Sequence, residues 1–223
     1  AAVKDVVLVS IEPDRLSALK QKILAEVPGA SVETDLTTNR LVGECDLIVT
    51  ATSAFGQRVL DISHCKPGAV ILDVALPPDI SEEEAAVRPD VLVVESGEVT
   101  LPGPAHFSFD IGLPQGVAYA CLAEAALLTM EERYECFTLG RDVPPRNVKE
   151  IYRLFRKHGL QIAPLRTFGR LLTDDLVAEK NARTDELLRS PGLLERVKRE
   201  AAAKIAKIPP RAKGVVGVTS PKP

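Results

Sequence analysis

Several absences narrow the class of this chain before any motif is read. Its 223 residues hold four cysteines, Cys45, Cys65, Cys121 and Cys136, at irregular spacings and with no C-x-x-C pair. With three histidines beside them, that argues against a structural zinc site, and no metal is expected on the residues alone. No secretory leader opens the chain, so reduced thiols in a cytoplasmic setting are expected. The longest apolar run, Val117 to Met130, is broken by Glu124 and is too short to span a bilayer; it reads as a buried helix. Positive charge is not in excess: the formal net charge is −3 and the pI about 5.7, which points away from nucleic acid. There is no internal repeat. Fourteen glycines are present, yet none spells G-x-G-x-x-G, the loop whose backbone N–H groups meet a dinucleotide pyrophosphate.

What is present is ordinary globular material. Hydrophobic residues make up 45 % and charged residues 26 %, which excludes a disordered or collagen-like chain and allows a sizeable core. The charge is uneven: from Leu194 onward the chain carries +6, so the first 193 residues carry −9. Val6–Val9, Ser31–Thr34, Asp46–Thr50, Ala69–Asp73 and Val91–Glu95 read as short strands, most of them apolar enough to be buried on both faces. Leu16, Leu19, Ile23 and Val27 fall at helical spacing before Pro28-Gly29. Strands alternating with helical segments predict an α/β fold with a parallel sheet.

From Pro114 the pattern turns helical. Helices are expected over about Pro114–Glu132, Asn147–His158, Arg170–Arg189 and Leu193–Ile208, with a loose terminus after Arg211. The expected fold is a Rossmann-like parallel sheet without its first strand and glycine-rich loop, followed by a helical C-terminal part. The chain starts Ala1-Ala2-Val3 with no initiator Met, so it is expected to be a piece of something longer. Its organisation reads as a cofactor domain over 1–112, a helical part over 113–168 and a helical extension with a basic tail over 169–223.

In an open α/β sheet, ligands sit outside the carboxyl ends of the strands. Thr50, Ala51, Thr52 and Ser53 leave one strand as a small-residue loop, and Asp73 ends the next; either a cofactor surface or a tight turn fits. Ser10 and Glu12 close the first strand where a nucleotide ribose would lie, although Glu-Pro-Asp also suits a helix start. Cys121 is either a nucleophile or a buried small hydrophobe; Glu124, three residues on, shares its face and needs a partner if buried. His106 can fold back toward that helix as a proton-handling group, or be bonded within its loop. His64 and His158 look like surface residues at element ends. Lys198, Arg199, Lys204 and Lys207 surround the apolar side of the last helix, which suits an acidic partner, a membrane surface, or a solvated helix packed by its apolar side.

Gly97-Glu98-Val99, Phe109-Asp110-Ile111, Ala120-Cys121-Leu122-Ala123-Glu124-Ala125 and Gly140-Arg141 occur in one order and spacing. In these blocks the stretch from Val6 to about Gly159 resembles the reductase portion of the long-chain acyl-[acyl-carrier-protein] reductases, which form fatty aldehydes. The resemblance implies that Cys121 accepts the acyl group from acyl-carrier protein or acyl-CoA. It further implies that NADPH, with NADH as the alternative, reduces the acyl-enzyme, that His106 or Glu124 manages protons, that Gly97 lies by the cofactor, and that Mg²⁺ accompanies activity. The chain departs from the family in lacking the glycine-rich loop, in carrying Ile11 where an Arg is common, and in the helices after about Gly169. The competing expectations are an amino-acid or shikimate-type dehydrogenase without a covalent step, and a non-catalytic binding module.

Overall fold

The computed structural model describes residues 3–53 and 57–210. Ala54 and the expected loose terminus after Arg211 lie outside the described residues. The fold is α/β, with parallel and antiparallel strands, and it divides into two compact units. The first runs up to Glu95 and resumes at Arg166; the second is the intervening stretch from Ser96 to Leu165. The division therefore differs from three consecutive segments. Its cause is strand pairing, because the chain from Arg166 onward returns to the sheet it left at Glu95.

The first unit begins β1 (Asp5–Val9), α1 (Pro13–Glu26), β2 (Ser31–Asp35). β1 and β2 pair in parallel as a two-stranded sheet. Leu16 of α1 and Val32 of β2 are the buried apolar residues of this pair and its helix. Then come β3 (Leu47–Thr50), β4 (Val70–Asp73), the short α2 (Glu82–Ala86) and β5 (Leu92–Glu95). β3, β4 and β5 are mutually parallel, Leu47 level with Val70 and Val70 with Leu92. The expected strands all form, to within a residue of their expected ends. Ser81 and Glu84 cap α2 reciprocally, each side chain bonding the other's backbone N–H, which satisfies two donors that the helix start would leave bare.

Two more strands belong to this sheet, and their shortness hides them from periodicity. After the second unit, β9 (Arg166–Thr167) pairs antiparallel with β5, and β10 (Arg170–Leu171) pairs with β9. Phe168 and Gly169 form the turn between them, both with positive φ. The expected helix from Arg170 therefore starts only at α5 (Asp174–Arg189), capped by the Thr173 hydroxyl. α6 (Pro191–Ile205) follows. Its apolar side is packed: Ala201 and Ile205 are buried, and Ile205 joins Ile62, Cys65, Ile71, Ile80, Val91 and Val93 in one core cluster.

An ion pair lies inside that unit. Arg88 and Asp90 are both fully buried. The guanidinium meets the carboxylate twice, at 2.9 and 2.7 Å, and donates to the carbonyls of Ser63 and Cys65 at 2.9 and 3.0 Å. A buried charge is tolerated when it is paired and its remaining donors are bonded, and both conditions are met. Lys180 of α5 donates to the carbonyls of Pro89 and Val91, and burial pulls its pKa down.

The second unit is a three-stranded antiparallel sheet with two helices. β6 (Glu98–Thr100) lies between β7 (Val117–Tyr119) and β8 (Gln161–Ile162). α3 (Ala120–Met130) and α4 (Pro145–Lys157) complete a core of Val99, Ala118, Ala123, Leu127, Leu128, Leu154 and Leu160. The expected helix from Pro114 is thus split: Val117–Tyr119 is a strand, and the helix starts at Ala120. Two β-favouring residues, Val117 and Tyr119, pair with Thr100 and Glu98 of β6, and that pairing overrides the helical period. No helix among the described residues is long and apolar enough to cross a membrane.

Candidate functional site

In the first unit, the carboxyl ends of β3 and β4 carry a polar cluster. Thr50 is buried, and its hydroxyl donates to Asp73 Oδ1 at 3.1 Å. The same carboxylate accepts from the Ala75 and Ile80 N–H groups at 3.1 and 2.9 Å. Burial pushes the Asp73 pKa up, against the pull of these three bonds. Next to it, Asp79 accepts from the Thr52 N–H at 3.0 Å and its hydroxyl at 2.6 Å. Both acids therefore brace the loops that leave the strands. Ala51, Thr52 and Ser53 are exposed.

Ser10 and Glu12 fold locally: Ser10 Oγ accepts from the Glu12 N–H at 3.2 Å, and Glu12 faces Arg15 at 3.6 Å. Glu12 occupies the position before α1, but its side chain makes no capping bond; Pro13 supplies the helix start. Gly97, the remaining cofactor expectation, falls in the second unit, in the turn between β5 and β6 with φ +91°.

The second unit carries the other expected residues. Cys121 is the second residue of α3 and is exposed, so it is not a core thiol; Cys65 is. Burial pushes the Cys65 pKa up to about 12. Glu124 is half-buried and accepts a bond from the Thr138 hydroxyl, which is the partner its burial demanded. His106 is exposed and bonds Gln115 through Nδ1 at 3.2 Å. It lines a cleft of about 200 Å³ with Phe107, Phe109, Leu113 and Pro114. Cys121, Glu124 and His106 make no bond to one another, and each folds within its own neighbourhood.

The expectation of surface histidines holds for His64 and fails for His158. His158 is largely buried and meets Glu131 at 2.5 Å, with Lys157 on the same carboxylate at 2.6 and 2.8 Å. Lys157 foremost, then His158, hold the Glu131 carboxyl below the usual range. Arg88, Asp90 and Lys180 form a largely buried polar group that residue type and spacing do not single out. Arg-Pro-Asp before an apolar strand was the signal for the buried pair, and it looks like any loop. Among the described residues no group of three His, Cys, Asp or Glu side chains could hold a metal ion.

No family model matches the chain. Over 161 residues the chain is 36 % identical to a protein named aminotransferase PigE, from Serratia sp. (strain ATCC 39006). The match takes in 71 % of this chain and 18 % of that relative, so the chain spans under a fifth of the relative's length.

This finding corrects the resemblance drawn from the sequence. The relative is named for amino transfer, not for acyl-thioester reduction. Membership of the acyl-[acyl-carrier-protein] reductases, the oxidoreductase activity through acyl-Cys121, the fatty-aldehyde product, NADPH or NADH with Mg²⁺, and the dehydrogenase alternative are all set aside. The blocks that carried the resemblance have structural reasons to exist. Gly97 and Gly140 sit at positive φ, Asp110 accepts from the Gly112 N–H at 2.7 Å in a local turn, and Ala120–Ala125 is where a strand becomes a helix. Such blocks report backbone geometry and can recur without shared chemistry.

Proposed function

We propose that this chain is the substrate-holding α/β part of an aminotransferase-type protein, and that it does not itself carry the amino-transfer cofactor. The observation behind this reading is the partial match: a region of this size makes up a minor share of a protein named for amino transfer. That chemistry generally calls on pyridoxal phosphate, held by a lysine and an acidic or basic partner. The partly buried lysine of this chain does not fit it. Lys180 is the lysine whose pKa burial lowers, and its ammonium is already bonded to two backbone carbonyls. No step through that cofactor is derived for this chain.

The finer fold supported here is Rossmann-like. A parallel pair, β1–β2, and a parallel trio, β3–β4–β5, follow one another in the chain. In the order 3-2-1-4-5-6 these are the strands on either side of an omitted first strand. Ligands of such sheets bind beyond the carboxyl ends of the strands. The proposed site is accordingly the exposed loop Ala51–Ser53 with Asp79 beneath it, and the proposed ligand is a small amine or its carbonyl counterpart. The Asp79 carboxylate pairs with the ammonium of such a ligand, while Thr52, already bonded to Asp79, orients it. A cytoplasmic location is part of this proposal.

Titration of the isotope-labelled chain with amino acids, 2-oxo acids and short aldehydes tests the site. Amide shifts confined to Ala51–Ser53 and Ala75–Ile80, abolished by Asp79→Asn, are expected. Shifts located elsewhere, or pyridoxal phosphate retained stoichiometrically by the chain after gel filtration, overturn the reading.

A further inference from the structure

Two strand edges in the first unit are open. In the β3–β4 ladder the carbonyls of Asp46 and Thr50 accept from the Val70 and Val74 N–H groups. By the two-residue pleat, Leu47 and Val49 then turn their own N–H and C=O groups away from β4. No described strand pairs with that side of β3. On β1, Lys4 accepts from Ser31 and Ser10 donates to Asp35, so Asp5, Val7 and Val9 turn their backbone groups away from β2. No described strand pairs there either.

The edge of β3 differs from a protected one. Natural edge strands carry charges, proline or bulges that discourage pairing. β2, the other member of the small sheet, carries Glu33 and Asp35. β3 reads Leu-Ile-Val-Thr with no such device, and Leu47 and Val49 are 59 % and 58 % exposed. Strands of parallel sheets are ordinarily buried on both faces, as the fully or nearly fully buried Ile71, Val93 and Val94 of β4 and β5 are. β3 thus has the composition of an interior strand at an edge position.

We infer that the open edge of β3 is an interaction surface for one further β-strand, uncharged, rich in β-branched residues and parallel to β3. The open edge of β1 receives the other side of that strand. The occupant is a segment of polypeptide outside this chain, and the inference rests on the Rossmann-like order proposed above. Two observations favour that occupant. Its hydrogen bonds would continue the ladder that already runs from β3 to β5. Most of the Serratia relative lies outside the match, so that relative has polypeptide to supply it. Strand addition of this kind draws affinity from main-chain bonds and specificity from alternate side chains.

Amide hydrogen exchange on the 223-residue chain, resolved to single residues, tests it. The probes are two synthetic peptides of about 30 residues, the size of a strand with its crossover, copied from the relative's sequence on either side of the matched region. In the chain alone the Leu47 and Val49 amides are expected to exchange without protection. One peptide should slow both by about tenfold or more, and the soluble variant Leu47→Lys/Val49→Lys should abolish the effect. The inference is overturned if neither peptide slows them. It is equally overturned if they are protected in the chain alone: loss of that protection on dilution would identify a second copy, and loss on deleting residues 211–223 the chain's own tail. Protection by a peptide without any ligand-induced shift at Ala51–Ser53 would sink the ligand reading and leave this one standing.

Discussion

The two units place their charges differently. In the first, Arg88 and Asp90 are sealed in the core, Asp73 is buried under a strand end, and Glu84, itself buried, meets Arg58 at 2.7 Å. In the second, no described ion pair is fully sealed: Glu131 meets Lys157 and the largely buried His158, Arg133 meets Glu135 and Glu150, and Arg133 lies over the Phe137 ring at 4.5 Å. Buried charges organise carbonyls that nothing else could satisfy, and they are costly to disturb from one side. Pairs open to solvent, such as Arg133 with Glu135, sit in high dielectric and contribute little each. The comparison teaches that both units are built on apolar cores, and that the first also seals a paired charge beside its core, whereas the second leaves its described ion pairs some access to solvent.

The largest effect that would break this contrast is at Arg88. Arg88→Met is expected to cost about 3–5 kcal/mol, because it strands the Asp90 carboxylate and frees the Ser63 and Cys65 carbonyls. Urea unfolding followed by circular dichroism measures it. A cost below about 1 kcal/mol, the range of an exposed pair, would show that the pair is not buried in solution.

Acid should act with opposite sign through Asp73 of the first unit and Glu131 of the second. The Asp73 pKa is raised by burial, so its ionised form is disfavoured in the fold. That contribution is favourable at low pH, and stability falls as pH rises from the ordinary carboxylate range, about pH 4, through the raised value. The Glu131 pKa is lowered, so its contribution is present above the ordinary range and is lost as pH falls through the lowered value. Asp73→Asn is expected to flatten the first dependence and to cost about 1–3 kcal/mol, since the new amide cannot accept all three bonds. Glu131→Gln should flatten the second alone. Residue-resolved hydrogen exchange from pH 3 to pH 7 separates the units; equal slopes in both variants would refute the assignment.

Smaller effects sharpen the picture. The Ser63 hydroxyl is buried without a hydrogen-bond partner, so Ser63→Ala should leave stability within about 1 kcal/mol of the parent or raise it. A clear loss in a denaturation midpoint would reveal a partner for that oxygen. Among the thiols, Cys121 and Cys136 are exposed and should alkylate first, while Cys65, buried and with its pKa pushed up to about 12, should resist until the chain unfolds. Mass spectrometry of the native chain after brief iodoacetamide treatment reads the order.

Part of the polar cluster at the strand ends was legible. Thr50, Thr52 and Asp73 were marked by their place at the ends of apolar strands; Thr50 bonds Asp73 directly, while Thr52 bonds Asp79, which the strand pattern did not mark. Cys121, His106 and Glu124 drew attention as reactive residue types, yet each bonds locally or not at all, because type and spacing along a chain do not report who meets whom in space. The family resemblance failed for a related reason: its blocks were glycine turns and a strand-to-helix junction, which many folds need.

Alternating apolar strands and helical spacing were enough to determine five parallel-type strands and the α/β class, since hydrophobic periodicity is a local property of the chain. The tertiary structure alone decided that Arg166 returns to β5, that Val117–Tyr119 is a strand, that Arg88 and Asp90 sit in the core, and that β3 is left with an open edge. Each of these depends on a partner distant in sequence, and a pairing energy shared between distant residues leaves no mark on either one alone.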